Sequence, residues 1–312
     1  MKREIVIGSR GSELALWQTN WVKSKLRTNY PELTVSIEII KTKGDKVLDT
    51  ALSKIGDKGL FTKEIEQSLL DGKIDLAVHS LKDLPTEQPE GLVICAVTER
   101  AERRDAFISN KYPSLVELPE GAVVATGSLR RRCQLLNFRD DLKIVDIRGN
   151  VLTRLRKFEE SSYDGLVLAY AGLLRLSLEA KVKHIIPTGI ILPAAGQGVM
   201  AIETRQDEGD IIELVKVLHD EISFIETTAE RSFLRFLEGG CQVPIGICSE
   251  VKNRTILILE GMIGSLDGKK VVREQITGGA SEPEELGKRL AQILLDKGGK
   301  EILEEIRSGA AV

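Results

Sequence analysis

The sequence predicts an α/β protein: two α/β lobes followed by a smaller α+β unit. Three observations predict it. Short β-branched runs alternate with amphipathic helical patterns through the first two thirds of the chain. That alternation restarts after the charged stretch Thr98–Asp105. The last third reads instead as a helix, three consecutive strands and a helix. At 312 residues the chain has room for two or three domains.

In the first lobe, Ile5-Val6-Ile7 reads as a strand and Ser12 as the N-cap of a helix whose Leu14, Leu16, Trp17, Trp21 and Val22 recur at helical spacing. Val35–Ile40 is a second strand. A Leu/Ile stripe makes Phe61–Leu70 a helix, and Ile74–Val78 is a strand of the buried type. The second lobe places strands at Val123–Thr126, Ile144–Ile147 and Gly165–Ala169, with helices starting near Ser128 and over Val151–Phe158. Strand and helix alternating in this way imply parallel sheets with crossover helices. The final block has a helix over Thr227–Leu237, a meander of Ile245–Val251, Ile256–Ile263 and Val271–Thr277, and a helix over Pro283–Asp296.

Composition narrows the function. Net charge is −3, with only 7 Phe, 4 Tyr and 2 Trp, so neither a global basic field nor stacking platforms speak for nucleic acid. Met1–Gly8 has no apolar stretch of secretion-signal length, and no run is long enough to span a membrane, which points to a cytoplasmic protein. The four cysteines, Cys95, Cys133, Cys241 and Cys248, are widely spaced among only 3 His. Zinc-type spacing is absent, and no metal is expected.

Four stretches put polar residues where strands end and helices begin, the usual ligand position in open α/β sheets. Gly8-Ser9-Arg10-Gly11-Ser12 outlines an anion site, or an ordinary βα loop with a capping serine. Thr126-Gly127-Ser128-Leu129-Arg130-Arg131-Arg132 sets three arginines against the positive end of a helix dipole, an unfavourable placement that a bound polyanion would reverse. A solvated basic face is the alternative. His79-Ser80-Leu81-Lys82-Asp83-Leu84-Pro85 runs a buried strand into a Lys–Asp pair, either an ionised acid suited to proton exchange or a turn Asp before proline. His79 itself receives no role. Gly239-Gly240-Cys241-Gln242-Val243-Pro244 places a thiol on a flexible loop, a candidate for covalent chemistry. Arg148, Arg154 and Arg175 add further guanidiniums near element boundaries. So many in an acidic chain suggest a ligand bearing several carboxylates or phosphates. No phosphate-binding Gly-x-x-x-x-Gly-Lys motif occurs.

Taken in order, these stretches resemble the porphobilinogen deaminase (hydroxymethylbilane synthase) family. The resemblance also rests on Lys41-Thr42-Lys43-Gly44-Asp45, Asp146-Ile147-Arg148-Gly149-Asn150, Pro193–Gly198 and Ala229-Glu230-Arg231. It runs from Ile7 to about Gly246 and is loose after Val251. Gly127 stands where the family often has a hydroxyl residue, and Cys133 where a small residue such as Ala is common.

The resemblance implies two lobes like those of periplasmic binding proteins with an active-site cleft between them, plus a smaller α+β C-terminal domain. The implied domains are 1–99 with 197–217, 100–196, and 218–312. It implies a transferase that condenses four porphobilinogen molecules head to tail into hydroxymethylbilane, releasing ammonia. The reaction is primed by a dipyrromethane held as a thioether on Cys241. Asp83 would be the catalytic acid. Lys82, Thr126, Ser128, Arg130, Arg131 and Arg148 would hold the cofactor. Arg10, Ser12, Ser80, Arg154, Arg175 and Gln197 would bind substrate. Lys54 and Phe61 would belong to a lid over Gly44–Gly59. The implied partner is the small-molecule substrate alone, with no nucleic acid and no membrane, and the enzyme would act as a monomer. A solute-binding protein that captures an anion without chemistry is the main rival reading.

Overall fold

A computed structural model describes residues 4–46, 59–239 and 243–309. Lys54 and Cys241 lie outside them. The chain divides into two compact units. The first takes its described residues from 4–46, 59–101 and 198–224, the second from 102–197, 225–239 and 243–309.

The first unit opens with β1 (Glu4–Ser9), α1 (Glu13–Asn29), β2 (Thr34–Ile39) and a single turn, α2 (Lys43–Lys46). It continues with α3 (Lys63–Leu70), β3 (Leu76–Ser80) and a 3₁₀ turn over Leu81–Asp83. β4 (Leu92–Val97) ends this stretch of chain. In the second unit β5 (Asp105–Ile108) and β6 (Val123–Ala125) precede α4 (Leu129–Phe138) and β7 (Lys143–Val145). Then come α5 (Val151–Glu159), β8 (Gly165–Ala169), α6 (Tyr170–Arg175) and β9 (Val182–Ile185). The chain returns to the first unit as β10 (Met200–Arg205) and α7 (Gly209–Val215). Most of α8 (Glu221–Phe236) belongs to the second unit. It is followed by β11 (Ile245–Lys252), β12 (Ile256–Gly264), β13 (Val271–Gly279), α9 (Pro283–Leu294) and α10 (Lys300–Arg307).

Both five-stranded sheets are mixed rather than parallel as expected. In the order β2-β1-β3-β10-β4, β1, β2 and β3 run parallel and β10 runs against both neighbours. In β7-β6-β8-β5-β9, β5 is the reversed strand. Each reversed strand is the first after the chain enters its unit. A parallel neighbour requires a crossover helix of a dozen or more residues, and a strand arriving without one is free to pair antiparallel. The strand expected at Ile144–Ile147 ends two residues earlier, because Asp146, Ile147 and Arg148 already belong to the loop leading to α5.

The first sheet buries both faces. Ile5, Ile7, Leu76, Val78 and Ile202 pack with Val22 and Leu26 of α1 and Leu214 of α7, while Ala77 and Leu92 pack with Ile65 and Leu69 of α3. The second does likewise, with Phe107, Val124 and Val167 on one face and Ala106, Ala125, Leu166 and Leu168 on the other. β11, β12 and β13 form an antiparallel meander, and their apolar face closes over Phe233 of α8, Leu237 just after it, and Leu286 and Leu290 of α9. Among the described residues no helix is long and apolar enough to cross a membrane.

Candidate active site

In the first unit β1 and β3 are parallel neighbours, pairing Ile7 with Leu76 and Gly8 with Ala77, so their carboxyl ends emerge side by side. β1 ends in Ser9 and delivers Arg10. Its guanidinium lies 4.2 Å from the centroid of the Phe61 ring, a cation–π contact. Ser12 caps α1, its Oγ accepting from Ala15 N at 3.4 Å. Ser80 closes β3, and its Oγ accepts from Gln18 Nε2 at 2.9 Å. The next turn is anchored by Leu81, fully buried, whose N–H donates to the Val199 carbonyl at 3.0 Å. Lys82 and Asp83 follow, half-buried and exposed respectively, on a short turn whose neighbours Leu81 and Leu84 are both fixed in the core.

The second unit repeats the arrangement with different chemistry. β6, β7 and β8 are parallel, so Thr126, Asp146–Arg148 and the start of α6 emerge at one end of the sheet. Thr126 is buried, and its Oγ1 accepts from Ser128 N at 3.3 Å. Ser128 caps α4 by accepting from Arg131 N at 3.5 Å. Gly127 lies so close to the facing loop that a Cβ there would sit 2.9 Å from the Ile147 carbonyl oxygen. A side chain at this position would have to push the two loops apart.

The three consecutive arginines separate as helical geometry requires: Arg132 is exposed, while Arg130 and Arg131 are only 6% and 5% exposed. Both meet Asp105 at the start of β5. Arg130 Nη1 donates to Oδ2 at 2.8 Å and to the Leu192 carbonyl at 2.6 Å. Arg131 Nη2 donates to Oδ1 at 2.8 Å, and its Nη1 reaches the Val167 carbonyl at 3.2 Å. Gln197 Nε2 donates to the same Oδ1 at 2.8 Å and to the Arg103 carbonyl. Burial by itself would raise the Asp105 carboxyl. The two guanidiniums outweigh it and hold the group well below the usual carboxylate range. The chain thus supplies internally part of the negative charge that α4 needs, but one carboxylate faces two cations, and Arg131 Nε has no hydrogen-bond partner among the described residues. Arg175, also buried, is pushed down to about 10 by desolvation and stays charged at neutral pH. Arg148 and Arg154 are half-buried, and Arg154 Nε donates to the Gly149 carbonyl at 2.7 Å. The loop and helix ends of this unit therefore gather several guanidiniums, the side-chain group best matched to a ligand with several anionic groups.

The sequence reading missed Asp105. It ends the charged run Arg103-Arg104-Asp105 yet begins the fully buried strand Asp105-Ala106-Phe107-Ile108, and an acid at the head of an apolar strand was the available signal. It also left Glu230 without a part to play. That carboxylate accepts from Gly196 N at 2.7 Å and from Ser249 Oγ, tying α8 and β11 to the loop that carries Gln197.

The family model described as "Porphobilinogen deaminase, dipyromethane cofactor binding domain" matches residues 5–213, and the family's C-terminal domain matches 224–296. The chain belongs to the porphobilinogen deaminase family. It is 52% identical over 310 residues to the porphobilinogen deaminase of Desulforudis audaxviator, covering 99% of this chain and 100% of that one. To the enzyme of Chlorobaculum parvum it is 49% identical over 310 residues, covering 98% and 99%. Among solved structures, the methionine binding protein MetQ aligns with a TM-score of 0.46 at 16% identity, covering 71% of this chain and 92% of that one, too loose to bear on function. As a member of the porphobilinogen deaminase family the chain is a transferase of tetrapyrrole biosynthesis. It joins pyrroles head to tail and carries the family's dipyrromethane-binding domain. Among the described residues no group of His, Cys, Asp and Glu is arranged to hold a metal ion.

Proposed function

We propose that this enzyme joins four porphobilinogen molecules into hydroxymethylbilane on a primer bound through Cys241, with Asp83 as the catalytic acid and the arginines of the second unit as carboxylate clamps. The covalent dipyrromethane, when bound, supplies the free pyrrole α-carbon from which the chain grows. The observation that carries the reading is the pair of buried guanidiniums, Arg130 and Arg131, that share the single carboxylate of Asp105; a buried charge with half a counter-charge is tolerated where a ligand completes it. Every pyrrole of this class brings an acetate and a propionate, so the fit in charge is direct.

Asp83, on its fixed turn, protonates the departing amine of porphobilinogen and stabilises the cation left behind through its carboxylate. It then takes the α-proton released when the new carbon–carbon bond forms, which regenerates the acid for the next cycle. Arg10, Ser12 and Ser80 in the first unit, with Thr126, Ser128, Arg148, Arg154 and Gln197 in the second, bind and orient the side chains of the growing oligomer. Lys54 and Phe61 belong to a segment that shields it from water. The enzyme works as a cytoplasmic monomer whose only partner is its substrate, and its domains are 1–99 with 197–217, 100–196 and 218–312.

Asp83→Asn tests the central assignment. The variant is expected to carry the primer, seen as a mass above that of the bare chain, while releasing ammonia from porphobilinogen about 100-fold more slowly or less, the usual scale for losing a general acid–base. Ammonia release near the wild-type rate removes Asp83 from the mechanism. Capture of porphobilinogen with no ammonia release by the wild-type chain supports the solute-binding rival.

A further inference from the structure

Directly behind the Ser80–Asp83 turn, the face of the first sheet that packs under α3 contains a polar cluster in place of apolar side chains. His79 on β3 and Glu203 on β10 occupy neighbouring positions of the antiparallel pair, His79 opposite Ala201 and Glu203 opposite Ala77. His79 Nε2 lies 3.3 Å from Glu203 Oε2. Glu66 reaches the same place from α3, whose preceding residue, Thr62, is itself buried. His79 and Glu66 are each 6% exposed and Glu203 is 0% exposed. His79 Nε2, both Glu203 oxygens and Glu66 Oε1 make no hydrogen bond to any described residue.

Two buried carboxylates with few donors around them are unstable if both are charged. A proton on one of them relieves the conflict. Burial first, and then the like charge of Glu203, push the Glu66 carboxyl above its ordinary range, against the opposing pull of Thr62, His79 and Lys63. Cys95 on β4 also responds to Glu203 and is held protonated by burial, its thiol pushed up to about 12. β1 contributes Val6 to the packing on this side.

We propose that Glu66, His79 and Glu203 form a proton-holding positioning cluster, in which Glu66 is kept as the neutral acid and the His79–Glu203 contact fixes the end of β3 from which Ser80, Lys82 and Asp83 project. His79 immediately precedes Ser80, and Ser80 is paired with Met200 on the strand that carries Glu203. A second negative charge under α3 loosens that helix from the sheet and shifts the turn, and a displacement of about 1 Å at a reacting group is enough to cost orders of magnitude in rate. The inference rests on Asp83 being the catalytic acid.

The test uses the full-length, primer-bearing enzyme labelled with ¹³C-carboxyl glutamate. Infrared difference spectra at neutral pH are expected to show a protonated-carboxyl C=O band that disappears in Glu66→Gln. Glu203→Gln is expected to lower kcat about tenfold or more while KM moves less than about threefold. No protonated-glutamate band in the wild type, or a band that persists in Glu66→Gln, overturns the proposal. Should Glu203→Gln not fold, the wild-type band still decides. The infrared readout needs no turnover, so normal ammonia release by Asp83→Asn with the band behaving as expected refutes the role of Asp83 and leaves the cluster's protonation standing.

Discussion

Replacing Asp105 by Asn removes one negative charge from a site that holds two buried guanidiniums and leaves its shape almost unchanged. Three donors at 2.8 Å converge on the carboxylate: Arg130 Nη1, Arg131 Nη2 and Gln197 Nε2. An Asn side chain offers one acceptor oxygen and turns an NH₂ toward one of the cations, so at least one charge-assisted hydrogen bond is lost, worth about 1.5–3 kcal/mol. The cation left uncompensated in a site that is 0% exposed at Asp105 brings the total to about 3–5 kcal/mol, the scale for removing one partner of a buried ion pair. A unit of this size shifts its melting temperature by about 2–4 °C per kcal/mol, so Asp105→Asn should melt roughly 10 °C lower. Differential scanning calorimetry of wild type and variant in one buffer measures this directly. A shift below about 2 °C would mean that Arg130 and Arg131 draw their compensation from elsewhere, and the reasoning about α4 would be wrong.

Cys241→Ser should yield protein with the bare mass of its sequence, whereas wild-type protein should be heavier by the two pyrroles of the primer; equal masses would end the claim of attachment. The Asp105 carboxyl lies below its unfolded value near 4, so its stabilisation is complete above that pH and is lost as pH falls through the folded value. The stability gap between wild type and Asp105→Asn should therefore be constant above about pH 4 and narrow below it in denaturant titrations; a gap that widens on acidification contradicts the assignment. Gly127→Ser, which restores the hydroxyl common in the family, should destabilise the second unit by about 1–3 kcal/mol, because its Cβ meets the Ile147 carbonyl oxygen at 2.9 Å. An unchanged melting temperature would show that the two loops part without cost.

How far the sequence revealed this architecture depended on whether the information was local. Ser12 and Ser128 were readable as N-caps because the capping pattern lies within four residues, and both cap their helices. The meander of β11, β12 and β13 was readable from three strands in sequence. β4, β5, β9 and β10 were not, since strands of four to six residues carry too little sequence for a period to stand out. α8 starts at Glu221, six residues before the expected Thr227; two of the apolar residues in that stretch, Ile222 and Phe224, are exposed, so they do not extend the buried stripe of the helix. In the site, the arginines announced themselves by breaking the dipole rule at α4. Their partner did not, because Asp105 is 25 residues away in sequence and its burial is a tertiary fact. His79 could not be interpreted without knowing that Glu203 faces it across a strand pair formed between residues more than 100 apart.

The reversed strand in each sheet bears on the order in which a nascent chain acquires structure. The sheet of the second unit uses strands between Asp105 and Ile185, so all of it has left the ribosome once that stretch has emerged. The N-terminal sheet cannot close then, although β1, β2, β3 and β4 were made first, because β10 is the strand that joins β3 to β4 and it ends at Arg205. Until it arrives, β4 has no hydrogen-bonded neighbour and β3 exposes a bare edge, the kind of surface that templates aggregation or recruits chaperones. The amino-terminal lobe, synthesised first, is thus the later of the two to complete its sheet, and a nascent chain that has emerged to a point between residues 185 and 200 would display one finished sheet beside one that is still open.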